Sequence, residues 1–257
     1  MTKSATRCLL GFLIGLVLVC QGTPFAIEAS FEERRVLSGR LDSWAYSDYR
    51  MNSFDLDRII QPITTVTQFP DGKKELNVGS GFIVGRRYFT VYHNLTSFTT
   101  SPSARKTIYL DGIPMMPSYT QVEKDIAVFD LPDALCAKYC NHVSFGKMPP
   151  LERDRKVYWL RKFNGEMALK EGRVLNYAFI GDVPGSADAY SLASCNVNLI
   201  VEVDTPFLAG SSGAPVLDAT TGQIIGIIQG SMESAGIRSG YFKPIHCVTS
   251  LLSQQPL

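Results

Sequence analysis

The sequence predicts an all-β domain, a barrel or sandwich of short strands followed by a short C-terminal helix. Three observations carry that expectation. Short runs rich in β-branched and aromatic residues recur from residue 62 to residue 244. Turn dipeptides, among them Asp71-Gly72, Asp111-Gly112 and Thr221-Gly222, separate such runs as hairpin connections require. No long amphipathic helix alternates with the runs, which argues against a parallel α/β sheet.

Taken in order, residues 63–69 alternate β-branched side chains through Ile63-Thr64-Thr65-Val66-Thr67, and residues 78–84 pass from Val78-Gly79-Ser80-Gly81 into the apolar Phe82-Ile83-Val84. Residues 88–92 (Tyr-Phe-Thr-Val-Tyr) and 106–110 are short strands by composition, and 126–131 is a near-continuous apolar run typical of a buried strand. The second half offers 157–163, 172–179, 198–203, 214–217, 223–229 and 240–244. There is no internal repeat, and the chain leaves no room for a second folded module after the last strand.

The length of 257 residues suits one all-β domain plus a targeting segment. Hydrophobic residues at 45% and charged residues at 19% match a folded globular chain. A formal net charge of +1 supplies no field to recruit nucleic acid or an anionic membrane, and the isolated pairs Arg34-Arg35 and Lys73-Lys74 read as solvated surface.

Residues 1–26 read as a secretory signal peptide. Lys3 and Arg7 precede an apolar run over 8–20, with the small residues Gly22, Ala26 and Ala29 beyond it. The expected location is therefore periplasmic or secreted, without stable membrane insertion once the signal is removed. A retained anchor is the alternative, but Gln21, Gly22 and Pro24 make a poor span. Lipidation at Cys20 is disfavoured by the bulk of Val19. Residues 27–60, charged and tyrosine-rich with weak helical character over 30–41, read as an N-terminal extension, and 61–257 as the folded domain.

Removal of the signal leaves Cys136, Cys140, Cys195 and Cys247, an even number for a compartment where disulfides persist. Four cysteines allow three pairings. Cys136–Cys140 with Cys195–Cys247 is preferred, because the chain itself brings the first pair together. A metal site at Cys136, Cys140 and His142 lacks a recognisable fourth ligand, so no metal and no cofactor are expected.

The strongest chemical signal is Gly210-Ser211-Ser212-Gly213-Ala214-Pro215. Flanking glycines free the backbone, so the amides of Gly210 and Ser212 can converge on one oxygen while Ser212 presents its hydroxyl and Ser211 points away. Alone, this stretch is a flexible turn. Its company changes the reading. His93, one of three histidines, follows a strand-like run at Thr90-Val91-Tyr92 and stands at a strand end where a base reaches a cleft. Asp125 precedes Ile126-Ala127-Val128 and can accept from the imidazole.

Three ordered segments resemble the trypsin-like serine peptidases, and within them the bacterial HtrA or Deg branch. These are Gly79-Ser80-Gly81-Phe82-Ile83 leading to Thr90–His93, then Asp125-Ile126-Ala127-Val128, then 204–215 with the strands around Gly226-Ile227-Ile228 and 240–244. The resemblance spans roughly residues 62–248 and implies a chymotrypsin-like double β-barrel. It also implies serine endopeptidase activity on protein or peptide substrates, with His93, Asp125 and Ser212 in the family's order. It further implies a substrate pocket at Pro206, Ile228, Gln229, Gly230 and Ser231, with Pro206 where trypsin carries its pocket aspartate. Small or medium apolar side chains are then favoured over lysine or arginine.

Departures qualify the likeness. Ala214 replaces the usual second glycine, the residues before His93 are unfamiliar, and no PDZ-like domain follows. Ser211 stands where zymogens of this class place an aspartate, so activity without propeptide cleavage is expected, although Arg34-Arg35-Val36 is a candidate processing site. Asn94-Leu95-Thr96 fits the N-glycosylation pattern, but a glycan beside His93 would obstruct the cleft, so a bacterial envelope suits the chain better than a eukaryotic secretory route. The competing expectation is a catalytically silent trypsin fold acting as a binding module.

Overall fold

A computed structural model describes residues 45–46, 49–50, 56, 58–96, 103–141, 143, 145, 153–163, 166–179, 199–234 and 236–252. The expected signal peptide, Cys195, His142 and the segment 30–41 lie outside those residues.

Strands β1 (Ala45–Tyr46) and β2 (Tyr49–Arg50) pair with each other. The first large sheet contains β3 (Ile60–Gln68), β4 (Lys74–Val84), β5 (Arg87–Thr90), β6 (Arg105–Leu110), β7 (Ile113–Met115), β8 (Tyr119–Gln121) and β9 (Ile126–Asp130). Their order across this barrel-like sheet is β7-β6-β3-β4-β5-β9-β8. The second is a closed barrel in the order β10-β11-β12-β15-β14-β13. Its strands are β10 (Lys156–Phe163), β11 (Glu166–Phe179), β12 (Leu199–Val203), β13 (Pro215–Asp218), β14 (Ile224–Ser234) and β15 (Ile237–Pro244). All pairings are antiparallel, so closure spares most edge strands. The chain closes with α2 (Ile245–Leu252), the expected C-terminal helix; α1 (Asp133–Tyr139) lies between the two sheets in sequence.

Local chemistry explains these elements. Along β3 the buried side chains Ile63, Thr65 and Thr67 alternate with partly exposed ones, the period of a sheet with one covered face. Asp111 and Gly112 both have positive φ, 50° and 75°, as a tight hairpin between β6 and β7 demands.

Packing is divided among three clusters. Ile63, Ile83, Tyr88, Ala127 and Phe129 fill the first sheet, and Val157, Trp159, Val201, Val216 and Phe242 the second. A third cluster joins them, with Ile60, Phe82, Phe89 and Val128 meeting Leu160, Leu217, Ile227, Ile245 and Val248. Full burial of one such side chain contributes about 1.5–3 kcal/mol, so this shared cluster holds the two halves of the cleft in register. Leu56 and Ile59, ahead of β3, are buried in the same cluster.

The structure differs from expectation where the apolar period is too short or absent. β7 and β8 have three residues each, too few to show alternation. Helix α1 falls in a stretch read as loop; it buries Leu135 and Tyr139 one turn apart, and carries the expected Cys136–Cys140 disulfide with Cα atoms 4.5 Å apart. Cys247 is disulfide-bonded as well. The β14–β15 hairpin runs on to Ser234 and Ile237, its backbone pairing extending well past the apolar run at Ile224–Ile228.

Candidate active site

Each of the three segments reaches the seam between the sheets by a local device. β5 ends at Thr90, not at Tyr92, and a 3-10 turn over Tyr92–Leu95 carries His93 clear of the strand. That turn is pinned from below: Thr65 Oγ1 donates to Asn94 O at 2.8 Å, and Asn77 Nδ2 donates to His93 O at 3.1 Å and Thr96 O at 2.9 Å. Asp125 closes a turn through its N–H to Val122 O and adopts φ = 53°, the left-handed region that aspartate tolerates better than most residues. β9 begins at the next residue, so the turn aims the Asp125 carboxylate at His93.

Both carboxylate oxygens are used. Oδ1 accepts from the His93 backbone N–H at 2.8 Å, and Oδ2 lies 2.8 Å from His93 Nδ1. A carboxylate only accepts, so Nδ1 carries a proton, and in the neutral ring Nε2 is the acceptor on the other side. The imidazole is 42% exposed and the carboxylate 28%.

The loop 210–214 approaches from the second sheet and is anchored by its carbonyls. Gly210 O accepts from Ser80 Oγ at 2.7 Å. Ser212 O accepts from the Ser80 N–H at 2.9 Å and from Asn94 Nδ2 at 2.8 Å. Gly213 N–H donates to Ile228 O and Ile228 N–H to Ala214 O, which fixes the loop beside β14. Gly213 has φ = 86°, and a Cβ there would lie 2.1 Å from Ser80 O, so no other residue fits. Ala214 is completely buried in the second core.

The N–H groups of Gly210 and Ser212 have no hydrogen-bond partner among the described residues. They are thus a pair of free donors flanking Ser212. Ser211 is fully buried and its hydroxyl has no partner among the described residues, whereas Ser212 is partly exposed. No hydrogen bond joins Ser212 Oγ to the imidazole among the described residues.

The residues expected to line a pocket differ in burial and in the hydrogen bonds they make. Ile228 is fully buried in the core and offers only its backbone. Gln229 sits at a bulge between the Ile228 and Gly230 pairs; it is 93% buried, and Nε2 has no partner among the described residues. Ser231 bridges the two walls, with its Oγ accepting from Phe207 N–H at 2.7 Å and donating to Phe207 O at 3.1 Å. The Phe207 ring stands edge-on to Trp159, with centroids 4.7 Å apart, and a Cβ on Gly240 would come within 2.8 Å of it. Pro206 is partly buried at the start of the same wall. Sequence reasoning missed this clasp and the anchors Ser80, Asn77 and Asn94. Asn94 carried a signal, as the first residue of the glycosylation pattern, but at 2% exposure its amide is committed to hydrogen bonds and cannot receive a glycan.

Lys243 lies behind this site on β15 and is 96% buried. Burial pushes its ammonium down to about 8; Asp125 acts against that shift and Lys124 adds to it. Between pH 8 and its ordinary 10.5 the unfolded chain therefore binds more protons at this residue than the folded one, and stability rises with pH across that window. The expected result is a Tm difference between wild type and Lys243→Met that shifts in favour of the wild type from pH 8 to 10, as differential scanning fluorimetry can measure.

Among the described residues no group of three or more His, Cys, Asp or Glu side chains is placed to hold a metal ion, and no helix is long and apolar enough to cross a membrane.

Comparison with known proteins gives a consistent picture. The trypsin-like peptidase domain family matches residues 79–227, more than half of the chain. Several solved structures share the fold. The active form of the Rv3671c protease from M. tuberculosis is 17% identical with a TM-score of 0.53, over 77% of this chain and 83% of that one. Deg5 is also 17% identical at 0.53, over 77% and 88%. The HtrA-type protease AlgW, solved with a tripeptide, is 16% identical at 0.52, over 75% of this chain and 59% of that one. At such identities the likeness establishes a chymotrypsin-like fold. No curated protein sequence matches the chain significantly.

Proposed function

Because the chain belongs to the trypsin-like peptidase domain family, we propose that it is a serine endopeptidase in which His93, Asp125 and Ser212 act as the triad and the Gly210 and Ser212 amides receive the oxyanion. The observation that carries this reading is the two-point hold of Asp125 on His93, through the backbone N–H and Nδ1, beside a loop with two free N–H donors.

In this mechanism Nε2 of His93 takes the Ser212 hydroxyl proton as Oγ attacks the scissile carbonyl carbon. The oxyanion of the tetrahedral intermediate is received by the two amides, and His93, now protonated and stabilised by Asp125, returns the proton to the leaving amine. Water then repeats the sequence on the acyl-enzyme, with His93 again as base. Preorganised donors of this kind contribute about 10²–10³-fold each to kcat.

The absence of a Ser212–His93 hydrogen bond among the described residues is the one feature favouring a silent binding module. Such bonds commonly tighten only when substrate is bound, so it does not decide against catalysis. No charged residue stands among Pro206, Gln229, Gly230 and Ser231, so small or medium uncharged side chains are the expected preference at the cleaved bond. Residues 1–26 support secretion or a periplasmic location.

Profiling with a mixed peptide library tests the reading. The expected result is cleavage after small or medium apolar residues. Strict cleavage after lysine or arginine would overturn the pocket assignment, and a folded protein that cleaves nothing would favour the binding module.

A further inference from the structure

We infer that Asn94 is a positioning residue that sets the nucleophile loop against the base-bearing turn, an inference that rests on the endopeptidase reading above. Its side chain is 2% exposed, and its single amide nitrogen lies 2.8 Å from Ser212 O, 3.0 Å from Thr90 Oγ1 and 3.3 Å from Ser80 O. Gly79 makes room for it: a Cβ there would fall 2.2 Å from the Asn94 amide. One planar group, filling a slot shaped by a glycine, therefore touches β4, β5 and the loop before β13.

The consequence for chemistry follows from peptide planarity. Ser212 O belongs to the Ser212–Gly213 peptide, and Gly210 O to the Gly210–Ser211 peptide. Asn94 and Ser80 hold these two carbonyls on one side of the loop. The N–H groups in those same two planes belong to Ser211 and Gly213 and are bonded to Leu208 O and Ile228 O, so two fixed peptide planes bracket the Ser211–Ser212 peptide that carries the free Ser212 N–H. Asn94 also follows His93 directly in the 3-10 turn, and its own carbonyl is fixed by Thr65. Base and nucleophile are thereby referred to the same buried side chain, although Asn94 touches neither the imidazole nor the reacting atoms.

Loss of the amide lets the Ser212–Gly213 peptide rotate while the His93–Asp125 pair stays intact, so the rate falls and its pH midpoint does not move. Misplacement of about 1 Å costs about 100-fold in rate, which sets the scale of the effect. The test is the rate constant and stoichiometry of labelling by a fluorophosphonate probe in wild type, Asn94→Ala and Asn94→Asp. Tyr139→Phe is the control, because it deletes a part-buried hydrogen bond, Tyr139 Oη to Asp111 Oδ2 at 2.8 Å, that links α1 to the β6–β7 turn and involves none of the residues around Asn94.

Both Asn94 variants are expected to label to full stoichiometry with rate constants about 10- to 100-fold lower at an unchanged pH midpoint. Tyr139→Phe is expected to lose thermal stability yet label at the wild-type rate. Purely structural damage would lower the labelled fraction instead of the rate constant. Asn94 variants labelling within about twofold of wild type would overturn the inference. Should neither fold, Thr90→Val leaves Asn94 in place but removes an acceptor that orients its amide; a several-fold slower rate is expected, and a wild-type rate overturns the proposal. A folded wild type that does not label contradicts the endopeptidase reading itself, a result distinct from all of these.

Discussion

Ser212→Ala is expected to lower kcat/KM for peptide hydrolysis by about 10⁴- to 10⁶-fold while leaving Tm unchanged. The reasoning lies in which atoms of Ser212 bear structure. Its carbonyl is held by Ser80 and Asn94, and those bonds survive the substitution, while its hydroxyl enters no hydrogen bond among the described residues. Ser211 cannot take over, because its hydroxyl is fully buried. Ser211→Ala therefore serves as the matched control. It removes a buried hydroxyl without a partner among the described residues, so activity should be retained and stability should hold or rise slightly. Progress curves on the best library peptide, with thermal melts of the same samples, measure both.

Asp125→Asn should reduce kcat by about 10⁴-fold, again with little change in Tm. The His93 backbone N–H requires an acceptor, so the amide oxygen of an introduced asparagine takes the place of Oδ1. Its NH₂ group then faces His93 Nδ1, where Oδ2 now lies at 2.8 Å. A donor facing Nδ1 moves the ring proton to Nε2, the atom that must act as base, and the imidazolium loses its counter-charge. Asparagine also tolerates the left-handed backbone at φ = 53°, so the turn persists and the loss is chemical. A pH–rate profile of this variant beside the wild type measures the effect, and a kcat within tenfold of wild type would remove Asp125 from the mechanism.

Much of this arrangement was legible in the chain because the decisive residues sit in runs with a local signature. Alternation over Ile63-Thr64-Thr65, the apolar 126–131 segment and the Asp-Gly turns each fix an element by short-range physics, and the observed strands follow them. The glycines around Ser212 likewise announce an unusual loop. Less was legible where partners are distant. Nothing near Ser231 reveals that its hydroxyl bridges to Phe207, 24 residues away, and Asn94 meets Ser212 across 118 residues. The glycosylation pattern at Asn94 even points outward, whereas the packing of two sheets buries it. Helix α1 was hidden for another reason: seven residues with two buried side chains are too short for a helical period.

Mass mapping of a fluorophosphonate adduct on the folded wild-type chain tests the central claim most directly. A single adduct on Ser212, absent when the chain is denatured before labelling and in His93→Ala, is the predicted result. A folded protein that takes no adduct, or carries it on Ser211 or elsewhere, would contradict the account.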